Sequence, residues 1–264
     1  MSGDDVSDDG MVRDDRGGRV GRDASGGHPG ADGAVAPVAA PRFAVSAVII
    51  DLDGTLLDTA ADLAAAVNAM LAELGRPPLP LERVRDFVGK GAEVLVHRAL
   101  TDTFDGRAGD AEFAPAMAAF LRHYQRENGL HARCYPGVVE GLDAMRAAGL
   151  RLAVVTNKPH AFTVPLLHQQ GLSGYFELVV SGDSLPRKKP DPMPMLHVCA
   201  CFGVPPERML AIGDSVNDAR AARAAGMRVM AVPYGYNEGL EVHALDVDAI
   251  VESLHHAASL VDCV

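Results

Sequence analysis

The sequence predicts an α/β fold in which a parallel sheet carries helices on both faces and an α-helical cap is inserted after the first strand. Two observations support this prediction. From residue 135 onwards, short apolar runs alternate with segments of helical periodicity, which is typical of a parallel sheet covered on both sides. Between Asp58 and Cys134, helical patterns follow one another with no strand between them. Such an insertion is expected to form its own small bundle on a Rossmann-like core.

The first core strand is predicted to end in two acids. The run from Val45 to Ile50 is apolar and leads directly into Asp51-Leu52-Asp53-Gly54. Because side chains alternate along a strand, Asp51 and Asp53 point to the same side, and the leucine between them turns towards the interior. Ligands of open α/β sheets bind at the carboxyl ends of the strands, where two neighbouring carboxylates repel each other unless a cation or a shared proton relieves them. We therefore expect a positively charged group at this edge.

The remaining elements follow from apolar periodicity and from residues that end helices. Apolar residues recur from Leu63 to Leu74 at helical spacing, and Gly75 with two prolines behind it ends that helix. The other cap helices are expected at residues 81–88, 92–100 and 113–124. Core helices are expected at residues 138–148, 161–170, 195–202 and 215–225, and core strands at residues 150–156, 178–181, 209–212 and 228–232.

We predict a division of the chain into three parts. Residues 1–42 are a disordered N-terminal extension, residues 43–58 with 135–264 are the catalytic core, and residues 59–134 are the helical cap. The extension contains nine glycines, eight aspartates and five arginines with hardly any large apolar side chain, so it cannot bury enough surface to offset its ordering entropy. It also lacks the apolar stretch of a signal peptide.

Composition excludes several classes of partner. The formal charge of −11 argues against nucleic acid, which is bound through clustered lysines and arginines. No apolar stretch is long enough to span a membrane, so no membrane partner is expected. The four cysteines lack metal-binding spacing and are interpreted as reduced thiols of a cytoplasmic protein.

Four segments in order resemble the haloacid dehalogenase-like hydrolase superfamily, and within it the phosphoglycolate phosphatase branch. They are Asp51–Thr59, Val154–Lys158, Lys188–Pro192 and Ile212–Asp218. Each is a weak signal alone, but all four are expected at strand ends or in the loops behind them, which makes the combination specific. The resemblance covers the chain from Ala44 to its C-terminus. Two further segments, Phe87–Ala92 and Val232–Asn237, are similar to the phosphoglycolate phosphatase branch in particular.

The resemblance implies a set of catalytic roles. Asp51 is the nucleophile that forms an aspartyl-phosphate, and Asp53 is the general acid and base. Thr156 and Asn157 supply donors to the phosphoryl oxygens, and Lys189 bridges the phosphate and the nucleophile.

The resemblance also implies a Mg²⁺ site. Asp51 and Asp214 bind the ion through carboxylates, and Asp53 binds it through the main-chain carbonyl. Asp218 has two open interpretations. Either it orients the waters of the ion or Lys189, or it caps the helical turn that begins at Ser215.

Several lysines leave alternatives. Arg187 and Lys188 also lie beside Lys189, and the Lys-Pro-x-Pro context favours Lys189 as the cation that points inwards. Lys158 is expected to point to solvent. Lys90 lies between two glycines, and its ammonium either pairs with the carboxylate of 2-phosphoglycolate or is solvated in a flexible turn.

The function predicted from these residues is a Mg²⁺-dependent phosphomonoester hydrolase that converts 2-phosphoglycolate to glycolate and phosphate. One alternative is a phosphatase of the same family for another small phosphorylated metabolite, such as a sugar phosphate or pyrophosphate. A second, from a different class, is a non-catalytic phosphometabolite sensor. The partner is therefore a small phosphorylated metabolite, and the protein is expected to be a monomer or a homodimer.

Overall fold

The computed structural model describes residues 42–264, so the predicted extension, except for Arg42, lies outside the described residues. The strands are β1 (Phe43–Val45), β2 (Ala47–Ile50), β3 (Leu57–Asp58), β4 (Arg133–Cys134), β5 (Arg151–Val155), β6 (Leu178–Val180), β7 (Met209–Gly213), β8 (Arg228–Ala231), β9 (Ala249–Ile250) and β10 (Val261–Cys263). The helices are α1 (Ala60–Glu73), α2 (Leu81–Phe87), α3 (Ala92–Thr101), α4 (Asp110–Glu127), α5 (Val138–Ala147), α6 (His160–Gln169), α7 (Met193–Phe202), α8 (Val216–Ala225) and α9 (Leu254–Ser259).

Six parallel strands form the central sheet, in the order β6-β5-β2-β7-β8-β9. This arrangement confirms the predicted α/β fold. Strand β2 lies between β5 and β7, and Ile50 pairs in register with both Val154 and Ile212. The segments that follow these three strands therefore leave the sheet at the same level, beside one another.

Helices cover both faces of the sheet because its strands are apolar on both sides. All four residues of β2 are buried. Val48 and Ile50 belong to one apolar cluster with residues of α5, α6 and α9, while Ile49 belongs to another with residues of α7 and α8. Full burial of one such side chain is worth about 1.5–3 kcal/mol, so this strand is a rigid support for the acids behind it.

Helices α1 to α4 lie between β3 and β4 in the chain and pack on one another. The residues of α1 predicted to share a face, including Leu63, Val67 and Met70, are buried among the apolar side chains of α2, α3 and α4. The same cluster takes in Phe162 and Tyr236 from the rest of the molecule. The four helices therefore rest on the edge of the sheet where β2, β5 and β7 end. Of the helices in residues 42–264, none has both the length and the apolarity to cross a bilayer.

The segment between Asp58 and Cys134 is helical as predicted, but the two short strands at its ends, β3 and β4, were not expected from the sequence. Strand β3 pairs antiparallel with β4, and this two-residue ribbon joins the two chain crossings between the four helices and the sheet. A strand of two residues is too short to show the period-2 pattern by which strands are recognised. The return crossing is fixed further by buried Asp62, whose carboxylate accepts hydrogen bonds from the main-chain N–H groups of Gly129, His131 and Ala132.

Candidate active site

Three carboxylates converge where the central strands end. Asp51 follows β2, Asp214 follows the neighbouring β7, and Asp218 lies in the first turn of α8. Each offers an oxygen, and the three oxygens lie within 4.8 Å of one another. The predicted neighbourhood of Asp51 and Asp214 thus arises directly from the strand order.

Two glycines allow the backbone to approach Asp214 closely. A Cβ atom at Gly54, where φ is +88°, would lie 2.2 Å from Asp214 Oδ2, and a Cβ atom at Gly235 would lie at the same 2.2 Å. In return, the carboxylate is well bonded. Thr55 Oγ1 donates to Asp214 Oδ1 at 3.1 Å, and the main-chain N–H of Tyr236 donates to Oδ2. Asp214 is therefore held in one orientation.

Lys189 lies among these acids, and only 3% of its surface is exposed. Its Nζ lies 2.7 Å from Asp51 Oδ1 and 2.6 Å from Asp218 Oδ1, and it donates to the main-chain carbonyl of Val155 at 2.7 Å. Arg187, by contrast, pairs with Asp191 at the surface. Of the adjacent cations considered from sequence, the structure places Lys189 inwards.

Asp218 combines the two interpretations that the sequence left open. Its Oδ2 accepts hydrogen bonds from the main-chain N–H of Ser215 at 3.1 Å and from Ser215 Oγ at 2.6 Å, as part of a capping box at the start of α8. Its Oδ1 accepts from Lys189. One oxygen therefore fixes the helix start while the other holds the lysine.

Burial of several acids together leaves the cluster short of positive charge. Burial raises the pKa of Asp51 to about 7, with Asp218 and Asp53 adding to the rise and Lys189 opposing it. Burial, with the charges of Asp218 and Asp51, also raises the pKa of Asp214 well above its ordinary value. Both shifts report carboxylates whose charge is only partly compensated.

A divalent cation fits this arrangement. The contact between Lys189 and Asp51 Oδ1 is an ion pair without hydrogen-bond alignment, and among residues 42–264 this buried oxygen has no hydrogen-bond partner. Carboxylate oxygens are the ligands preferred by hard divalent ions. Asp51, Asp214 and Asp218 are thus the residues that could hold such an ion.

Asp53 is turned away from this cluster towards a second one. Its Oδ1 accepts hydrogen bonds from Thr59 Oγ1 at 2.6 Å and from Lys158 Nζ at 2.9 Å. The same ammonium donates to the hydroxyl of Tyr124, in α4. The prediction that Lys158 points to solvent was wrong, because a carboxylate and a tyrosine that lie far from it in sequence provide partners for a buried ammonium.

Thr156 and Asn157 follow β5, on the other side of Asp51, and both are buried. The Asn157 side-chain amide donates to the main-chain carbonyls of Gly89 and Lys189, both at 2.9 Å. Its side-chain N–H groups therefore tie the loop before α3 to the loop that carries Lys189. This contact between distant loops has no local signal in the sequence.

Lys90 does not reach these groups. Its Nζ lies 2.8 Å from Glu238 Oε1, and the buried guanidinium of Arg98 donates to the same oxygen at 2.7 Å. The neighbouring glycines line the cavity above Asp51, but Lys90 does not. The geometry therefore gives no support to the interpretation in which Lys90 binds a substrate carboxylate.

That cavity lies between the ends of the strands and the four helices and measures about 40 Å³. On the side of the sheet, the cavity is lined by polar residues, namely Asp51, Asp53, Asn157 and Lys158. Apolar residues cover it from α1, α3 and α4, namely Leu63, Leu95 and Phe120. Charged groups thus meet a space that is otherwise apolar.

The sequence that places these acids and the buried lysine at the strand ends also matches a known protein family. A sequence model for haloacid dehalogenase-like hydrolases matches residues 45–226. The chain belongs to the haloacid dehalogenase-like hydrolase family. This assignment confirms the resemblance found in the four motifs.

Individual members of the haloacid dehalogenase-like family are similar over most of the chain. A protein of Nitrosospira multiformis named phosphoglycolate phosphatase is 57% identical over 217 residues, which are 82% of this chain and 96% of that protein. Another of that name, from Thiobacillus denitrificans, is 54% identical over 217 residues, with the same coverage of 82% and 96%. A solved structure from Haemophilus somnus, described as a predicted phosphoglycolate phosphatase, is 34% identical with a TM-score of 0.77 and covers 81% of this chain and 97% of that chain.

Proposed function

We propose that this protein is a Mg²⁺-dependent phosphatase that hydrolyses 2-phosphoglycolate through an aspartyl-phosphate on Asp51. The observation that carries the proposal is the joint placement of Asp51, Asp214 and Lys189 below a small, capped cavity. The names of relatives more than half identical to the chain agree with it. In this proposal residues 59–134 are the cap and residues 43–58 with 135–264 are the catalytic core.

The first step transfers the phosphoryl group. A carboxylate oxygen of Asp51 attacks phosphorus, a new P–O bond forms, and the bond to the glycolate oxygen breaks. Asp53 gives its proton to that leaving oxygen. Lys189 neutralises charge on the phosphoryl oxygens, and Thr156 with the main-chain N–H of Asn157 supplies donors to them.

The second step restores the protein. Asp53, now ionised, takes a proton from water as the water oxygen attacks phosphorus, so that the acyl phosphate splits into inorganic phosphate and the Asp51 carboxylate. Of the three clustered carboxylates, Asp51 and Asp214 would hold Mg²⁺, because both oxygens of Asp218 are engaged by Lys189 and Ser215. The family resemblance adds the main-chain carbonyl of Asp53. The ion would supply positive charge where negative charge develops. The roles of Asp218 are to hold Lys189 and the start of α8 in place.

The proposal is tested with the purified protein and a panel of 2-phosphoglycolate, a hexose phosphate and pyrophosphate, with phosphate release as the measurement. We expect kcat/KM for 2-phosphoglycolate to exceed the others by at least about tenfold, a preference that one or two specific contacts provide. Chelation with EDTA should abolish turnover and added Mg²⁺ should restore it. A higher rate on another substrate would replace the proposed substrate, and binding without turnover of any of them would indicate the sensor.

A further inference from the structure

Lys158 is a buried ammonium at the junction of cap and core. Its Nζ donates to Asp53 Oδ1 at 2.9 Å and to the Tyr124 hydroxyl, and lies 4.8 Å from the centre of the Tyr124 ring. Only 3% of its side chain is exposed. Removing an unpaired ammonium from water costs several kcal/mol of free energy, so burial of Lys158 at this position indicates a functional role.

The ammonium of Lys158 has one more N–H group than it has acceptors among residues 42–264, and it lies beside the cavity. It has three N–H groups, of which Asp53 and Tyr124 accept two, and no third acceptor is found among residues 42–264. Lys158 also lines the cavity above Asp51. Within the described part of the chain, no other lysine or arginine lines that cavity. Among the described residues, Lys158 is therefore the cavity-lining cation that could pair with a second negative charge on a phosphorylated ligand.

The position of Lys158 matches the shape of the proposed substrate. This step rests on the proposed function, in which Asp53 donates a proton to the ester oxygen of 2-phosphoglycolate. That oxygen then lies within hydrogen-bond reach of the Asp53 carboxylate, whose Oδ1 is 2.9 Å from Lys158 Nζ. Only one methylene group separates the ester oxygen from the substrate carboxylate. A carboxylate on so short an arm falls next to Lys158.

We propose that Lys158 binds the carboxylate of the substrate and thereby selects 2-phosphoglycolate among small phosphate esters. The walls around it strengthen the contact, because Leu63, Leu95 and Phe120 are apolar and lower the local dielectric constant. Tyr124 belongs to the cap, so the carboxylate site is complete only when α4 lies over the core. Lys90 is unsuited to this role because Glu238 holds its ammonium outside the cavity.

The test compares two substrates that differ only in charge, 2-phosphoglycolate and phosphoglycolamide, whose carboxamide has a similar shape. We expect wild-type protein to prefer the acid by about ten- to a hundredfold in kcat/KM, as befits a charge-assisted hydrogen bond. In Lys158→Met, which keeps the length of the side chain and removes its charge, this preference should fall to within about threefold, mainly through KM for the acid. The matched control is Lys90→Met, which should keep the wild-type preference.

The ratio of the two substrates separates recognition from a general effect. If Lys158 only positions Asp53, its loss slows both substrates equally and the preference survives, which overturns the proposal. Wild-type protein that treats both substrates alike overturns it without any variant. Lys158→Gln, which keeps a donor to Asp53, provides the same comparison if the methionine variant does not fold. If the variants hydrolyse 2-phosphoglycolate with an unchanged ratio of kcat/KM for acid over amide, only the role of Lys158 is refuted. If wild-type protein does not hydrolyse 2-phosphoglycolate at all, the proposed function is refuted as well.

Discussion

At the scale of single residues, the surroundings of each charged group decide its role. Asp51 and Asp53 are two residues apart, yet one faces Lys189 and the acid cluster while the other faces Lys158 and Thr59. Burial raises the pKa of Asp51 to about 7, and its ionised form, which is the nucleophile in the proposed mechanism, is the form that burial disfavours. In the absence of a bound cation, the ionised carboxylate of Asp51 should therefore destabilise the fold.

The substitution Asp51→Asn tests this cost. The pKa of Asp51 is about 7 in the folded protein against an ordinary 3.8. Between these pH values the folded protein binds more protons than the unfolded chain, so the free energy of unfolding falls as pH rises. In EDTA, we expect Asp51→Asn to raise the melting temperature more at pH 8 than at pH 5. It should also form no phosphoenzyme, because an amide cannot become an acyl phosphate. The exposed Asp105→Asn is the control, and an equal gain at both pH values would contradict the argument.

Residue positions could be predicted from the sequence where the sheet alone determines them. Asp51 and Asp214 follow adjacent parallel strands, so their proximity needs only the strand order. Lys158 also follows a strand, but its environment depends on Tyr124, which is 34 residues away in a helix of the cap. The packing of α4 over the sheet has no local signal in the sequence. Without knowledge of that packing, Lys158 was predicted to point to solvent.

At the scale of elements, the loop after β8 connects the acid cluster with the chain crossing between β3 and α1. The main-chain N–H of Tyr236 donates to Asp214, and the Tyr236 hydroxyl accepts from the main-chain N–H groups of Thr59 and Ala60 at 2.7 and 3.0 Å. The hydroxyl donates to Asp58 Oδ1. The first turn of α1 is thus capped by a tyrosine from a distant loop, since the Thr59 side chain is bonded to Asp53 instead.

Tyr236→Phe should therefore destabilise the protein. It leaves the buried N–H of Thr59 without its acceptor and the N–H of Ala60 with only a long bond of 3.3 Å to Asp58 Oδ1. We expect a loss of about 1–3 kcal/mol in the free energy of unfolding. Urea denaturation followed by circular dichroism measures it. The matched control is Tyr234→Phe in the same loop, which removes only a donor to the carbonyl of Thr55 at 3.1 Å. Equal losses in the two variants would show that the hydroxyl of Tyr236 has no special role at the start of α1.

Most helices and long strands could be predicted because each carries its own periodicity. Helix α1 buries Leu63, Val67 and Met70 as its spacing indicates. The ribbon of β3 and β4 could not be predicted, because a strand of two residues is too short to show an alternating pattern. Its pairing also joins segments about 75 residues apart. The segment Val232–Asn237 resembled the family, but only the folded chain shows which groups Tyr236 contacts.

At the scale of the whole molecule, polar contacts around the cavity join helices α1 to α4 to the rest of the protein, in addition to the apolar packing of Phe162 and Tyr236. Lys158 contacts Tyr124, the amide of Asn157 contacts Gly89, and Glu238 pairs with Arg98 and Lys90. Polar contacts exchange for water at a small net cost in free energy, typically about 0.5–1.5 kcal/mol for each hydrogen bond. In the proposed function, opening of the cap would break these contacts and also separate Phe162 and Tyr236 from the apolar cluster of α1 to α4.

Glu238→Gln should shift this balance towards the open cap. The buried guanidinium of Arg98 keeps its bonds to the main-chain carbonyls of Phe87 and Phe104 at 3.0 and 2.9 Å but loses its anionic partner in the core. We expect faster amide hydrogen exchange in α3 and the loop before it, unchanged exchange in β2 and β7, and a raised KM for 2-phosphoglycolate.

The control for this variant is Glu73→Gln, which breaks an exposed ion pair with Arg122 inside the cap and should alter neither exchange nor KM. Exchange that rises equally in the cap and the sheet would mean that Glu238 stabilises the whole fold. Unchanged exchange in α3 would mean that the contacts of Lys158 and Asn157 are sufficient to hold the cap closed. Only a change confined to the cap shows that the ion pair on Glu238 controls access to the cavity, because the core strands are stabilised by apolar burial that this substitution leaves intact.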